Sequence, residues 1–294
     1  MRITTRMAFA LALLAMTLAS TTSLANELVV GEKKSFLLTP KGRFSSKPIE
    51  IFYYKPHNAT PESRVLIALH GVDRSGSRAR DNWASAADKY GLIILAPELD
   101  ETNYPEKYFQ FGGIESKNHD DWSFNIIEDV FEKVRIDENL KTNTYFLFGH
   151  SAGAQFTHRF ALMTENARSA VVVAANAGTY TMPEYSASFF APGFPWALSE
   201  TYVPQEKLKE AFKRTLIVLL GEKDIKSDGS GVPRSQQALA QGANRLERGK
   251  RFCAAATSQA EKLRTTLSWK CVRVPNVGHD SARMSKAAEK LLFE

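Results

Sequence analysis

The chain has 294 residues, 44% of them apolar and 24% charged, with a formal net charge of +6. That is the composition of an ordinary globular protein, and it excludes a disordered tail or a collagen-like repeat. Arg2 and Arg6 lie in a removable leader, so the mature chain carries +4 over 269 scattered positions, which gives no reason to expect nucleic-acid binding.

Residues 1–25 read as a secretory signal. Arg2 and Arg6 make a positive start, Met7 to Ala19 is apolar except for Thr17, and Ser23-Leu24-Ala25 supplies small residues at a cleavage site. Thirteen residues fall short of the roughly 20 that cross a bilayer. A cleaved product of residues 26–294, secreted or periplasmic and without a membrane anchor, is therefore expected. No linker-like composition interrupts it, which predicts one catalytic domain.

Ser35–Leu38 and Ile49–Tyr54 read as an antiparallel edge pair. Five short apolar runs follow: Val65–His70, Leu92–Ala96, Tyr145–Phe148, Ala170–Ala175 and Leu216–Leu220. Continuous apolar character suits strands covered on both faces, the habit of a parallel sheet. Phe124, Ile127, Phe131 and Val134 recur at helical spacing before the third run. Beyond a last strand candidate, Leu267–Val274, the residues Met284, Ala287, Ala288, Leu291 and Leu292 form one apolar stripe. The alternation predicts an α/β fold, a mostly parallel doubly wound sheet with helices on both faces.

Three stretches stand apart from that pattern. Gly178 to Val203 holds seven aromatics where the chain-wide 11% would place about three, with prolines at 183, 192 and 195. The prolines forbid one continuous helix, so residues 178–206 read as an aromatic insertion covering a pocket, with Tyr180, Phe190 and Trp196 as substrate-binding residues. A plain loop packed on the body is the other reading. Tyr104, Tyr108, Phe111 and Trp122 form either a second pocket wall or a cluster packed on itself. Lys207–Arg214 and Arg245–Arg251 are basic-rich with interspersed glutamates and read as solvated helical faces.

The chemistry concentrates at Gly149-His150-Ser151-Ala152-Gly153, directly after the Tyr145–Phe148 run and before a helical pattern. A serine on a tight strand-to-helix turn exposes its oxygen above the sheet, and the crowding of such a turn asks for glycine on both sides. Ser151 is thus the expected nucleophile. It needs a base, and of the six histidines His279, in the loop Pro275–His279 before the final helix, stands where a base can reach the top of the sheet. His70 ends a core strand, the ring of His150 is expected to point elsewhere, and His158 lies two turns into the helix. The strand-end turn Gly221-Glu222-Lys223-Asp224 supplies the acid, Asp224 by preference, with Glu222 and Asp228 as alternatives. The order Ser, Asp, His is the one α/β-hydrolases use. The backbone N–H of Ala152 and that of Val72, or of its neighbour Gly71, are expected to form an oxyanion hole.

Cys253 and Cys271 are the only cysteines; export permits a disulfide between them, and two buried thiols are the other outcome. No metal-binding or nucleotide-binding motif occurs, so catalysis without metal or cofactor is expected.

Leu69-His70-Gly71, Gly149–Gly153, Gly221–Asp224 and Val277-Gly278-His279 together resemble the α/β-hydrolase superfamily, and within it the secreted esterases of the polyhydroxybutyrate-depolymerase-like and feruloyl-esterase-like kinds. The resemblance implies ester hydrolysis through an acyl-enzyme, on soluble hydroxyalkanoate oligomers or aryl and acyl esters. A peptidase or thioesterase would use the same residues, and a non-catalytic exported binding protein is a third reading.

Overall fold

Every apolar run becomes a strand of one sheet. In the computed structural model, residues 27–184, 205–229 and 231–294 are described. The leader (1–25) and most of the aromatic insertion, including Phe190 and Trp196, lie outside the described residues. In chain order the strands are β1 (Lys33–Leu38), β2 (Ile49–Tyr54), β3 (Val65–Leu69), β4 (Ile93–Glu98), β5 (Tyr145–His150), β6 (Ser169–Ala175), β7 (Leu216–Gly221) and β8 (Lys270–Val274). The helices are α1 (Gly76–Asp81), α2 (Ala84–Tyr90), α3 (Glu106–Phe109), α4 (Asn125–Asp137), α5 (Ala152–Met163), α6 (Gln205–Lys213), α7 (Gln236–Gln241), α8 (Arg245–Leu263) and α9 (Ser281–Phe293).

The sheet order is β1-β2-β4-β3-β5-β6-β7-β8. β1 and β2 form the expected antiparallel pair, β2 joins β4 antiparallel, and from β4 onward every pairing is parallel. The unbroken apolar runs have a simple cause. Alternate residues of each central strand serve two different cores. Ile67, Leu147, Val172 and Val218 pack with Phe131 of α4, Phe156 and Phe160 of α5, and Phe252 of α8. Leu66, Phe148, Val173 and Leu219 pack on the opposite face with Ala86 and Ala87 of α2 and Met284 and Ala288 of α9. β3 and β7 are buried along their whole length, whereas β8, at the sheet edge, is half exposed.

The helix ends follow from local side chains. Ser75, Asn244 and Asp280 each accept a backbone N–H from the first turn of α1, α8 and α9. Cys253 of α8 and Cys271 of β8 are disulfide-bonded, fastening the long helix to the edge strand. All loops bearing the candidate residues leave the carboxyl ends of parallel strands, where the crevice of an open α/β sheet lies.

Candidate active site

Ser151 sits between β5 and α5 with φ 58° and ψ −112°, a backbone conformation that costs a non-glycine residue about 1–3 kcal/mol. The surroundings enforce it. Ser151 N–H donates to the Ala175 carbonyl at the end of β6 (3.0 Å), and Gly153 N–H donates to the His70 carbonyl (3.0 Å). A Cβ at position 149 would stand 2.2 Å from the Gly153 carbonyl oxygen, and one at 153 would stand 2.6 Å from that of His70. Both flanking glycines are therefore required by close backbone approach.

His279 Nε2 accepts from Ser151 Oγ at 2.9 Å, and His279 Nδ1–H donates to Asp224 Oδ2 at 2.7 Å. Three side chains from the ends of β5, β7 and β8 are thus joined in one bonded chain. Asp224 is buried (2% exposed), whereas Glu222 is partly exposed and 3.7 Å from Arg273, and Asp228 is exposed. The loop carrying His279 is fixed by Asn176, a residue whose importance the sequence does not advertise. Its side-chain amide donates to the Gly278 carbonyl (2.9 Å), and its carbonyl oxygen accepts from Gly221 N–H (2.8 Å). Lys223 N–H adds a bond to the Val277 carbonyl at 2.8 Å.

The turn after β3 approaches the same point. The direction in which Gly71 would bear a side chain ends 3.6 Å from Ser151 Cβ. Among the described residues neither Ala152 N–H nor Val72 N–H is bonded to a backbone acceptor. His70 shapes this turn from beneath. Its Nδ1–H donates to the Gly71 carbonyl (2.8 Å) and its Nε2 accepts from Leu99 N–H (3.0 Å). Burial lowers its pKa to about 4, which keeps the ring neutral and both bonds in place. His158 makes the same pair of bonds inside α5, to the Ala154 carbonyl and from Thr181 N–H, and burial pushes it well below the usual histidine range.

Several expectations need correction. The His150 ring does not point away; it packs against His279 with centroids 4.6 Å apart, and among the described residues its buried Nε2 has no bonding partner. Burial, then the neighbouring His279 and Arg245, hold His150 well below the usual histidine range. Tyr180 is fully buried, stacked on Phe252 at 4.7 Å and beside His158, and it does not line the cavity at Ser151. Tyr104, Tyr108, Phe111 and Trp122 are buried, and the reading as a packed cluster is the one that holds. The basic start of α8 is not a solvated face. Arg248 is wholly buried, donating to the carbonyls of Gly242, Gly178 and Pro233, and Arg245 is 5% exposed with Nη1 3.2 Å from Asp224 Oδ1. Neither burial has a local signature, because all the acceptors except the Gly242 carbonyl lie 14 or more residues away.

A cavity of about 210 Å³ opens beside Ser151, lined by the His70–Val72 turn, Phe148, His150, His279 and residues of α1 and α9. Its wall mixes apolar Ala68, Ala79 and Phe148 with polar Asn82 and Ser281, the latter two hydrogen-bonded at 3.0 Å. Among the described residues no group of three or more His, Cys, Asp or Glu side chains could hold a metal ion. A hydroxyl, an imidazole and a buried carboxylate bonded in series are an arrangement that suits attack on a carbonyl carbon.

Comparison with solved structures finds poly(aspartic acid) hydrolase-1 from Sphingomonas sp. KT-1, 34% identical, with a TM-score of 0.82 over 89% of this chain and 98% of that one. The chain belongs to the α/β-hydrolase superfamily. A second α/β hydrolase, the LpqC poly(3-hydroxybutyrate) depolymerase from Bordetella parapertussis, is 28% identical with a TM-score of 0.82, covering 89% of this chain and 90% of that one. A bifunctional acetylxylan esterase/xylanase from Neocallimastix patriciarum is 25% identical over 118 residues. That match takes in 37% of this chain and spans only 15% of the relative's length. No family model matches. The sequence resemblance to the superfamily and its depolymerase-like members is borne out, and this α/β hydrolase has esterases among its relatives.

Proposed function

We propose that this α/β hydrolase is an exported serine esterase that cleaves carboxylic esters through an acyl-enzyme. The observation that carries the reading is the bonded chain from Ser151 Oγ through His279 to Asp224, with spacings of 2.9 and 2.7 Å. In this reading His279 Nε2 takes the hydroxyl proton as Ser151 Oγ attacks the ester carbonyl. Asp224 holds the Nδ1–H tautomer and stabilises the imidazolium that forms. The N–H groups of Ala152 and Val72 hold the developing oxyanion; losing one such donor typically costs about 10²–10³ in turnover. His279 then returns its proton to the departing alcohol, and water activated by the same nitrogen frees the acid.

The substrate class we favour is a soluble hydroxyalkanoate oligomer or a short aryl or acyl ester. The depolymerase relative and the small cavity beside Ser151 support it. Export rests on the leader read in residues 1–25; among the described residues no helix is long and apolar enough to cross a membrane. One observation favours a second reading. The 34% identical relative is named a poly(aspartic acid) hydrolase, so an amide-type bond is the alternative scissile group for the same residues. A substrate panel separates the two. Hydroxybutyrate oligomers and p-nitrophenyl butyrate should turn over at least tenfold faster than poly(aspartic acid), and Ser151→Ala should abolish both ester activities. Faster cleavage of poly(aspartic acid) would move the assignment to amides.

A further inference from the structure

We propose that Arg245 is a positioning residue of the active site, acting through Asp224. The inference rests on the reading of Asp224 as the partner of the base. Asp224 has two carboxylate oxygens, and the base engages one of them, Oδ2. The other, Oδ1, accepts from Arg245 Nη1 at 3.2 Å, and both side chains are almost wholly buried. Arg245 Nη2 donates to the Gly231 carbonyl, which anchors the guanidinium to the loop between β7 and α7. The backbone reinforces the contact: Leu246 N–H donates to the Asp224 carbonyl at 3.3 Å, and Asn244 caps α8 one residue before the arginine.

The Asp224 side chain is 1% exposed, and a buried carboxylate without a compensating cation is costly. The guanidinium of Arg245 supplies that cation. Its second effect is geometric. With Oδ1 held by the guanidinium, the carboxylate cannot rotate about its Cβ–Cγ bond, so Oδ2 stays aimed at His279 Nδ1. The guanidinium lines neither the cavity nor Ser151, and its hydrogen bond to the bonded chain is the one to Asp224.

The test compares kcat and KM for p-nitrophenyl butyrate in R245Q, D224N and the double variant D224N/R245Q, with circular dichroism as the check on folding. R245Q should lose about 10- to 100-fold in kcat with KM within about threefold, and R245K, which keeps the charge, should recover a substantial part of the loss. In the D224N background, R245Q should cost less than about threefold more, because residues acting as one unit are not additive. Should R245Q alone fail to fold, the pair D224N and D224N/R245Q decides, since the double variant leaves no lone buried carboxylate. Full additivity, an unchanged kcat in folded R245Q, or a double variant that is itself unfolded would overturn the proposal. Wild-type turnover in D224N would instead sink the underlying assignment of Asp224, so the two failures are distinguishable.

Discussion

Asn176 donates from its side-chain amide to the carbonyl of Gly278, at 2.9 Å, immediately before His279 in the chain. The same side chain accepts from Gly221 N–H, so one residue at the end of β6 sets the spacing between the loop that carries Asp224 and the loop that carries His279. Its backbone is left-handed (φ 52°), a conformation asparagine tolerates better than most residues. Asn176→Gly keeps that backbone accessible while removing the amide. The variant should fold, lose about 10-fold or more in kcat, and keep KM within about threefold, as expected when alignment rather than binding is lost. Steady-state kinetics on a short ester, with a thermal melt as control, checks it.

The choice of acid has an equally direct test. Asp224→Asn should lower kcat on the order of 10⁴, because the amide favours the wrong imidazole tautomer. Glu222→Gln and Asp228→Asn, at positions partly or fully open to solvent, should each change turnover by less than about twofold. A large loss at Glu222 or Asp228 with little at Asp224 would reassign the role.

Acid should destabilise the fold through its buried histidines. The folded pKa of His70 is lowered from 6.5 to about 4, so between those values the unfolded chain binds more protons than the native one. Stability is therefore fully present above about pH 6.5 and is lost as pH falls toward 4, by up to about 3 kcal/mol from this residue alone. His150 and His158, shifted in the same direction, add to the loss. Urea midpoints at pH 7.5, 6 and 5 should fall steadily in the wild type. His70→Gln should start lower at pH 7.5, having lost the ring bonds to Gly71 and Leu99, but decline less steeply.

The disulfide contributes stability without touching the chemistry. Closing an 18-residue separation is worth about 3 kcal/mol in the chain-entropy model. Replacing both Cys253 and Cys271 by Ala should lower Tm by roughly 5 °C for a domain of this size. At 25 °C kcat should stay within about twofold of the wild type, since the bridge lies about two turns along α8 from Arg245. Calorimetry with and without the pair of substitutions reads the effect.

The elements that were legible in the amino-acid order are those whose cause is local. A doubly covered strand must be apolar throughout, so Val65–Leu69 and Leu216–Leu220 announce themselves, and a tight strand-to-helix turn must carry the glycines at 149 and 153. Asp224 and His279, which the structure bonds in series with Ser151, stand in the loops that follow β7 and β8 at the edge where the serine emerges. The unread residues owe their roles to partners far along the chain. Arg245 and Arg248 alternate with glutamate and lysine as a solvated helix would, and only the carbonyls of Gly178, Gly231 and Pro233 draw them inside. Tyr180 is buried by Phe252, more than 70 residues later, which stacks on it. Asn176 resembles any polar residue closing a strand, and its two bonds reach the ends of β7 and β8.

Trapping the covalent intermediate tests the central claim most directly. The protein is treated with a fluorophosphonate, digested and analysed by mass spectrometry, in parallel with Ser151→Ala. One adduct per chain is predicted, on the hydroxyl within Gly149–Gly153, absent from the variant and formed in step with the loss of ester hydrolysis. An adduct on another residue, or full hydrolysis in the untreated Ser151→Ala protein, would contradict the account.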